Sequence, residues 1–271
     1  MKKTYTTVLT IAGSDGSGGA GIQADIKTFG ALECYGLSVI TVLTAQNTMG
    51  VTALYPISKK CVTEQFRAIA SDMAIDAIKI GMLGNAIIIN AVAALLRELK
   101  GNQPIILDTI LASSGGVTLL PPEAIHLMRE KLFPLASLIT PNLPETALLL
   151  GMKYPPKTPE AIEKAAKRLL ETGATSVLVK GGHGEGEECH DCLLHENQLF
   201  WFSSKKIRSH NTHGTGCTLS SAIAAFMAKG LTIECAVREA KSWVDEALQA
   251  GADYRLGNGN GPLHHFCRQW R

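Results

Sequence analysis

The 271-residue sequence contains no run of eighteen apolar residues, so no segment reads as a membrane-spanning helix. It has no excess of either charge: Lys+Arg number 26 against 24 Asp+Glu. Nor does it hold a run of five or six like charges, so nothing marks it as a partner of nucleic acid or of a membrane surface. A disulfide framework is not indicated either. The seven cysteines are odd in number and scattered, which favours reduced thiols in a cytoplasmic protein over a disulfide framework. The start, "MKKTYTTVLTIAGSDG", sets two lysines before an apolar run. That run is short, broken by threonines, and ends without a small-residue cleavage site, so a first strand is expected there and not a signal peptide. The phosphate-binding string G-x-x-x-x-G-K-[ST] is absent as well.

What is present is a folded composition, with 46% hydrophobic and 18% charged residues in a chain long enough for a substantial core. Short apolar runs alternate with amphipathic segments. "TTVLTIA", "LSVITVLT", "DAIKIG", "PIILDT", "ASLITPN" and "TSVLVKG" read as strands. "AGIQADIKTFGALE", "NAIIINAVAALLRELK" and "PEAIEKAAKRLLETG" read as helices, the last with Pro159 in its first turn and Gly173 at its C-terminal cap. Near-continuous apolar strands in regular β-α order predict a mostly parallel sheet covered on both faces, a three-layer α/β/α fold. No linker or repeat divides the chain, so residues 1–271 are expected to form a single domain. The alternation breaks only around residues 181–216. There the pattern predicts two strands joined by a turn at Glu196-Asn197, a hairpin or flap over the carboxyl ends of the sheet. Two helices, Thr215 to Lys229 and Ile233 to Gln249, close the fold.

Six stretches carry polar chemistry. In "TIAGSDGSGGAGIQAD", Gly16, Gly18 and Gly21 match G-x-G-x-x-G between a strand and a helix. The ribose-binding acid expected about twenty residues on is missing, since Thr41, Thr44 and Gln46 stand there, so a dinucleotide site is disfavoured. In "TAQNTMG", Gln46 and Asn47 offer both donors and acceptors, suited to a heteroaromatic edge or to an Asx-type turn. Asp108 closes one predicted strand, and Asn142 and Glu145 follow the next. Together they could hold Mg²⁺ through waters and phosphate oxygens, or simply cap a helix. Lys180, at a strand end before two glycines, can direct a compact charge at phosphates. Cys189 and Cys192, flanked by His183 and His195, have zinc-like spacing but lack the paired spacing of a structural site. Finally, Gly214, Thr215 and Gly216 open a helix whose amides suit an anion. Cys217 follows, where a carboxylate base would be expected.

Taken together, "TIAGSDGSGGAGIQADIKTFGALECYGLSVITVLTAQNT", "KIGML", "LITPNLPE", "VLVKGGH", "HGTGCTLSSAIAA" and "NGPLHHF" resemble the hydroxymethylpyrimidine kinase / phosphomethylpyrimidine kinase family of thiamine biosynthesis, in the ribokinase-like superfamily. The resemblance spans nearly the whole chain. It implies a ribokinase-like fold and a bifunctional enzyme. ATP would phosphorylate 4-amino-5-hydroxymethyl-2-methylpyrimidine and then its monophosphate. By the same resemblance Gln46 would read the pyrimidine edge in a pocket shared with Gly13, Asp25 and Met82. Lys180 would meet ATP phosphates, while Asp108, Asn142 and Glu145 would organise Mg²⁺. Gly214, Thr215 and Gly216 would stabilise the transferring phosphoryl, with Cys217 facing the hydroxymethyl group. A homodimer is implied too. Pyridoxal kinases, which use the same "GTGC", are the near alternative. Two positions depart from the family. Gly16 replaces a proline, which should loosen its loop, and "ASSGG" replaces a lysine-containing variant.

Overall fold

The computed structural model describes residues 3–111, 119–182 and 186–270. Its first strand, β1 (Thr7–Asp15), sends Leu9 and Ile11 to one side of a sheet and Val8 and Thr10 to the other. Helix α1 (Gly21–Ala31) then returns the chain to β2 (Tyr35–Asn47), which pairs parallel with β1. Strand β3 (Gly50–Pro56) turns back antiparallel on β2 and leads to α2 (Lys59–Ala70). From β4 (Ala77–Ile80) the order is regular: α3 (Ala86–Glu98), β5 (Ile105–Leu107), α4 (Pro122–Lys131), β6 (Leu138–Ile139), α5 (Leu143–Leu150), α6 (Pro159–Leu170) and β7 (Ser176–Val179). The chain ends with β8 (Glu188–His195), β9 (Gln198–Lys205), α7 (Thr215–Ala228) and α8 (Ile233–Gly251).

All these strands form one sheet, in the order β3-β2-β1-β4-β5-β6-β7-β8-β9. Pairing is parallel from β2 through β7 and antiparallel at both edges. Because β2 and β4 flank β1, the direction of winding reverses beside β1. A crevice therefore opens outside the carboxyl ends of these strands. One face of the sheet packs Ile78, Ile80, Leu107, Ile139 and Val177 against α2, α3, α4 and α6. The other packs Val8, Ala77, Ile106, Leu138 and Leu178 against α1, α7 and α8, around the fully buried Trp243. The expected three-layer α/β/α arrangement is present.

Side-chain caps fix most helix starts. Ser58, Asn85, Thr158 and Thr232 each accept a backbone amide from their own first turn. Pro159 opens α6 as expected, and Gly173 stands beyond its end with φ at 104°. The hairpin turn also falls where expected, with Glu196 and Asn197 both at positive φ. Its placement differs from the expected flap. β8 pairs with β7 from Ser176 to Val179, so the hairpin continues the sheet in its own plane. The exposed ladder edge of β7 makes in-plane addition favourable.

Candidate active site

The parallel strands β1, β2, β4, β5, β6 and β7 all end on the same edge, and the polar residues singled out in the sequence gather there. Asp108, buried just beyond the end of β5, accepts from Lys180 Nζ at 2.8 Å and Thr140 Oγ1 at 3.0 Å. Ser220 of α7 adds a third donor to its other oxygen at 3.2 Å. Burial alone would raise the Asp108 carboxyl, but Lys180 and Lys79 nearby hold it below the usual carboxylate range. The same pairing, acting against desolvation, pushes the Lys180 ammonium up.

Asn142 and Glu145 form a reciprocal capping box at the start of α5. Asn142 Oδ1 accepts from the Glu145 amide at 2.8 Å, and Glu145 Oε2 accepts from the Asn142 amide at 2.9 Å. The capping alternative is thus realised, and it does not exhaust the glutamate. Thr109 also donates to Glu145 Oε2 at 3.1 Å. Burial pushes the Glu145 carboxyl up to about 7, with Lys180 pulling it down and Asp108 pushing it further up.

Helix α7 begins on the opposite side of this cluster. Gly214 takes φ 79°, and any Cβ there would run into the Gly19 carbonyl, so only glycine fits. The Thr215 amide, expected to face an anion, instead bonds the Thr212 carbonyl at 3.3 Å. Tight closure of the turn preceding the helix accounts for that. The Gly216 and Cys217 amides have no acceptor among the described residues. A Cβ on Gly216 would lie 3.4 Å from Lys180 Nζ and 3.8 Å from Asp108 Oδ2, so the open amides, the ammonium and the carboxylate share one small space. Cys217 is buried and hydrogen-bonded by the Gly21 amide. Burial pushes its thiol up to about 11, with Lys79 opposing and Asp25 and Asp108 adding to the rise.

Two neighbours of that thiol were not singled out as a pair by the sequence. Lys79 and Asp25 are wholly buried and joined at 2.9 Å. Lys79 alternates with Ile78 and Ile80, so it points to the α1 and α7 side. There Thr10 donates to Asp25 at 2.6 Å and Ser221 at 2.7 Å. With its carboxylate so committed, Asp25 sits beneath the crevice and not in its open wall. A lysine in the middle of the four-residue apolar strand "AIKI" was the available signal.

Gly13 and Met82 do meet, at the ends of β1 and β4, with Val42 beside them. Gln46, further out on β2, lies 3.1 Å from His213 Nε2. Asn47 Oδ1 accepts from the Met49 amide at 2.8 Å, so the Asx turn belongs to Asn47 and leaves Gln46 free to face inward. The tail "NGPLHHF" braces both regions. Asn260 bonds the Thr48 carbonyl at 3.0 Å, and Pro262 pairs with His213.

The glycine-rich loop binds its own carboxylate. Asp15 accepts from the amides of Ser17, Gly19 and Ala20 at 2.9, 3.1 and 2.8 Å. Amides that would cradle a pyrophosphate are therefore spent, which removes the dinucleotide reading along with the missing ribose acid. The amides that follow Gly16, those of Ser17, Gly19 and Ala20, are all held by Asp15. The "ASSGG" departure and His183 lie outside the described residues. Cys189 and Cys192 stand three apart on β8, so they point to opposite faces, and Cys192 is packed in the core. No group of three or more metal-binding side chains of the His, Cys, Asp and Glu type exists among the described residues.

The family model described as phosphomethylpyrimidine kinase matches residues 15–264. The chain is 46% identical to the hydroxymethylpyrimidine/phosphomethylpyrimidine kinase of Escherichia coli, covering 97% of this chain and 98% of that one. The chain belongs to the phosphomethylpyrimidine kinase family. The enzyme of the same description from Rhizobium meliloti is 45% identical over 97% of this chain and 98% of its own. Among solved structures, the phosphomethylpyrimidine kinase of Clostridium difficile superposes with a TM-score of 0.78 at 40% identity, covering 89% of this chain and 98% of that one. A pyridoxal kinase of Bacillus subtilis, solved as an ADP complex, gives 0.90 at 35% identity over 99% and 100% of the two chains. The shared fold therefore accommodates kinases of both ring types, and the family match rests on sequence.

Proposed function

We propose that the protein transfers the γ-phosphoryl group of ATP to the hydroxymethyl of 4-amino-5-hydroxymethyl-2-methylpyrimidine, and then a second phosphoryl to the resulting monophosphate. The observation that carries this reading is the shared space around Gly216. Two open amides, the Lys180 ammonium and the Asp108 carboxylate all border it. Phosphoryl transfer passes through a loose transition state, so positioning and charge stabilisation do most of the catalytic work. The Gly216 and Cys217 amides, with the dipole of α7, hold the transferring group, and Lys180 neutralises its oxygens. Gln46 reads the pyrimidine edge, with Gly13 and Met82 lining the ring pocket and Asp25 supporting its floor. Gly214 and Thr215 shape the turn that presents the amides.

Asp108 and Glu145 suit Mg²⁺, being hard oxygen donors. The raised affinity of Glu145 for a proton marks a buried carboxylate that a cation would relieve. Asn142 keeps Glu145 in place through the capping box. Mg²⁺, when bound, draws charge from the phosphate oxygens. We extend the proposal to a single-domain homodimer in the cytoplasm. Leu43 and Tyr55, paired across β2 and β3 and both exposed, offer an apolar surface to a second copy.

The deciding experiment supplies the purified protein with ATP, Mg²⁺ and the pyrimidine alcohol and separates the products. Both mono- and diphosphate should appear in sequence. Absence of any pyrimidine phosphate would overturn the reading. Pyridoxal in the same assay tests the alternative acceptor, which the likeness to pyridoxal kinase supports.

A further inference from the structure

His213 lies between Asp15 and Gln46, and the hydrogen-bond arithmetic there has one consistent solution. Its Nε2 is 2.8 Å from Asp15 Oδ2 and 3.1 Å from the Gln46 amide. Asp15 already accepts four bonds, from the Ser17 amide and hydroxyl and from the Gly19 and Ala20 amides. Although burial works against it, these bonds and that from His213 hold the carboxyl down to about 2. A carboxylate only accepts, so the proton between Asp15 and His213 sits on Nε2. Gln46 Nε2 is placed against that nitrogen, where two N–H groups would face each other. Turning the amide over puts Oε1 there, sharing the single Nε2 proton with Asp15. Amide nitrogen and oxygen are assigned from their network, so this fixes the orientation.

The other end of the amide agrees. Thr44 Oγ1 donates its single proton to the Ser14 carbonyl at 2.8 Å. Gln46 Oε1 is placed 3.2 Å from that hydroxyl, with Nε2 towards His213. Exchanging the two amide atoms, which heavy-atom geometry does not distinguish, lets Nε2 donate to the Thr44 oxygen. The imidazole is itself rigidly held. Its ring lies against Gly19, where any side chain would collide with it, and its backbone amide bonds the Gly261 carbonyl at 3.0 Å.

We propose that His213 is a positioning residue which, with Thr44, locks the Gln46 amide in one orientation and so selects the acceptor ring by its donor and acceptor order. Each amide atom keeps one bonding direction unused. The locked amide therefore offers an acceptor beside a donor, complementary to an exocyclic amino group next to a ring nitrogen. A ring carrying an oxo group and a ring N–H presents the inverse order. It would bind only if the amide turned over and both tethers broke. The inference rests on the reading that Gln46 meets the substrate ring.

The test compares kcat/KM for the 4-amino alcohol and its 4-oxo analogue, with melting temperature monitored for each variant. Gln46→Leu should abolish the preference for the amino ring. His213→Phe, which keeps the ring shape and loses the N–H, should lower that preference by about tenfold or more, because an unpaired polar edge is what rejects the wrong ring. KM for the amino alcohol should rise while KM for ATP stays put. If His213→Phe keeps the preference and Gln46→Leu loses it, the positioning role is overturned and the ring-reading role survives. If Gln46→Leu keeps the preference, the ring-reading role fails and the inference with it. Should His213→Phe not fold, Thr44→Val against Thr44→Ser decides. Loss of preference in the valine variant alone supports the lock, and any other pattern overturns it.

Discussion

Lys180 Nζ and Asp108 Oδ1 meet at 2.8 Å across the end of β6, from the two strands that flank it. Gly216 faces both, and the absence of a side chain there is what leaves room for an anion. Gly216→Ala should separate stability from activity. The new methyl makes ordinary contacts with its neighbours, and alanine favours a helix over glycine by up to about 1 kcal/mol. The same methyl fills the space a phosphoryl group needs, and displacing aligned donors costs on the order of 10²-fold or more in kcat. Thermal melting beside a coupled ADP-release assay checks both halves. A variant as active as wild type would remove Gly216 from the phosphoryl site.

The buried pair of Lys79 and Asp25 should dominate stability more than any surface ion pair. Lys79→Met leaves the Asp25 carboxylate in the core with hydroxyl partners only. Breaking one side of a buried pair costs roughly 3–5 kcal/mol. A chain of this size then loses about 10 °C in melting temperature. Lys79→Met combined with Asp25→Leu should recover much of the loss, because no uncompensated charge remains. A double variant less stable than Lys79→Met would contradict that account.

Much of the framework was legible in the sequence because parallel strands are apolar runs and helices carry a regular stripe. The Glu196-Asn197 turn was visible because residues tolerant of positive φ stand between two strand patterns. What was not legible depended on pairing at a distance. β3 is half-exposed and mixed in character, so "GVTALYP" reads as loop until β2 is seen beside it. Whether the hairpin lay over the sheet or within it depended on the free edge of β7, which no local pattern reports. In the site, Asp108, Lys180, Glu145 and Gly216 announced themselves by standing at strand and helix ends. Lys79, Ser220 and His213 did not, since their partners come from elements 54, 112 and 167 or more residues away.

Acid sensitivity should trace in part to Asp15. Its folded pKa of about 2 lies below the ordinary 3.8, so the folded state binds this proton less tightly than the unfolded state. The stabilisation is complete above pH 3.8 and is lost as pH falls from there to 2, an effect of roughly 2 kcal/mol. Asp15→Asn should cost about that much at pH 7, and the gap from wild type should narrow towards pH 2. Urea unfolding of both proteins across that range measures it. A gap independent of pH would show that the carboxylate charge is not the source.

Cys217 is the remaining question of mechanism, because a carboxylate would be a stronger base at that helix start. Burial and the nearby Asp25 and Asp108 keep the thiol protonated at neutral pH despite Lys79. For the alcohol a weak base suffices, since deprotonation is late in a loose transition state. For the monophosphate no base is needed at all, because its second ionisation lies near pH ~6. A fixed carboxylate about 4 Å from that phosphate would instead repel it by roughly 4 kcal/mol per unit charge at an effective dielectric of ~20. A neutral thiol imposes no such penalty, so one site can take both acceptors. Cys217→Asp should therefore suppress phosphorylation of the monophosphate far more than that of the alcohol. Following each acceptor separately with ATP in excess gives the answer, and equal losses on the two would sink the explanation.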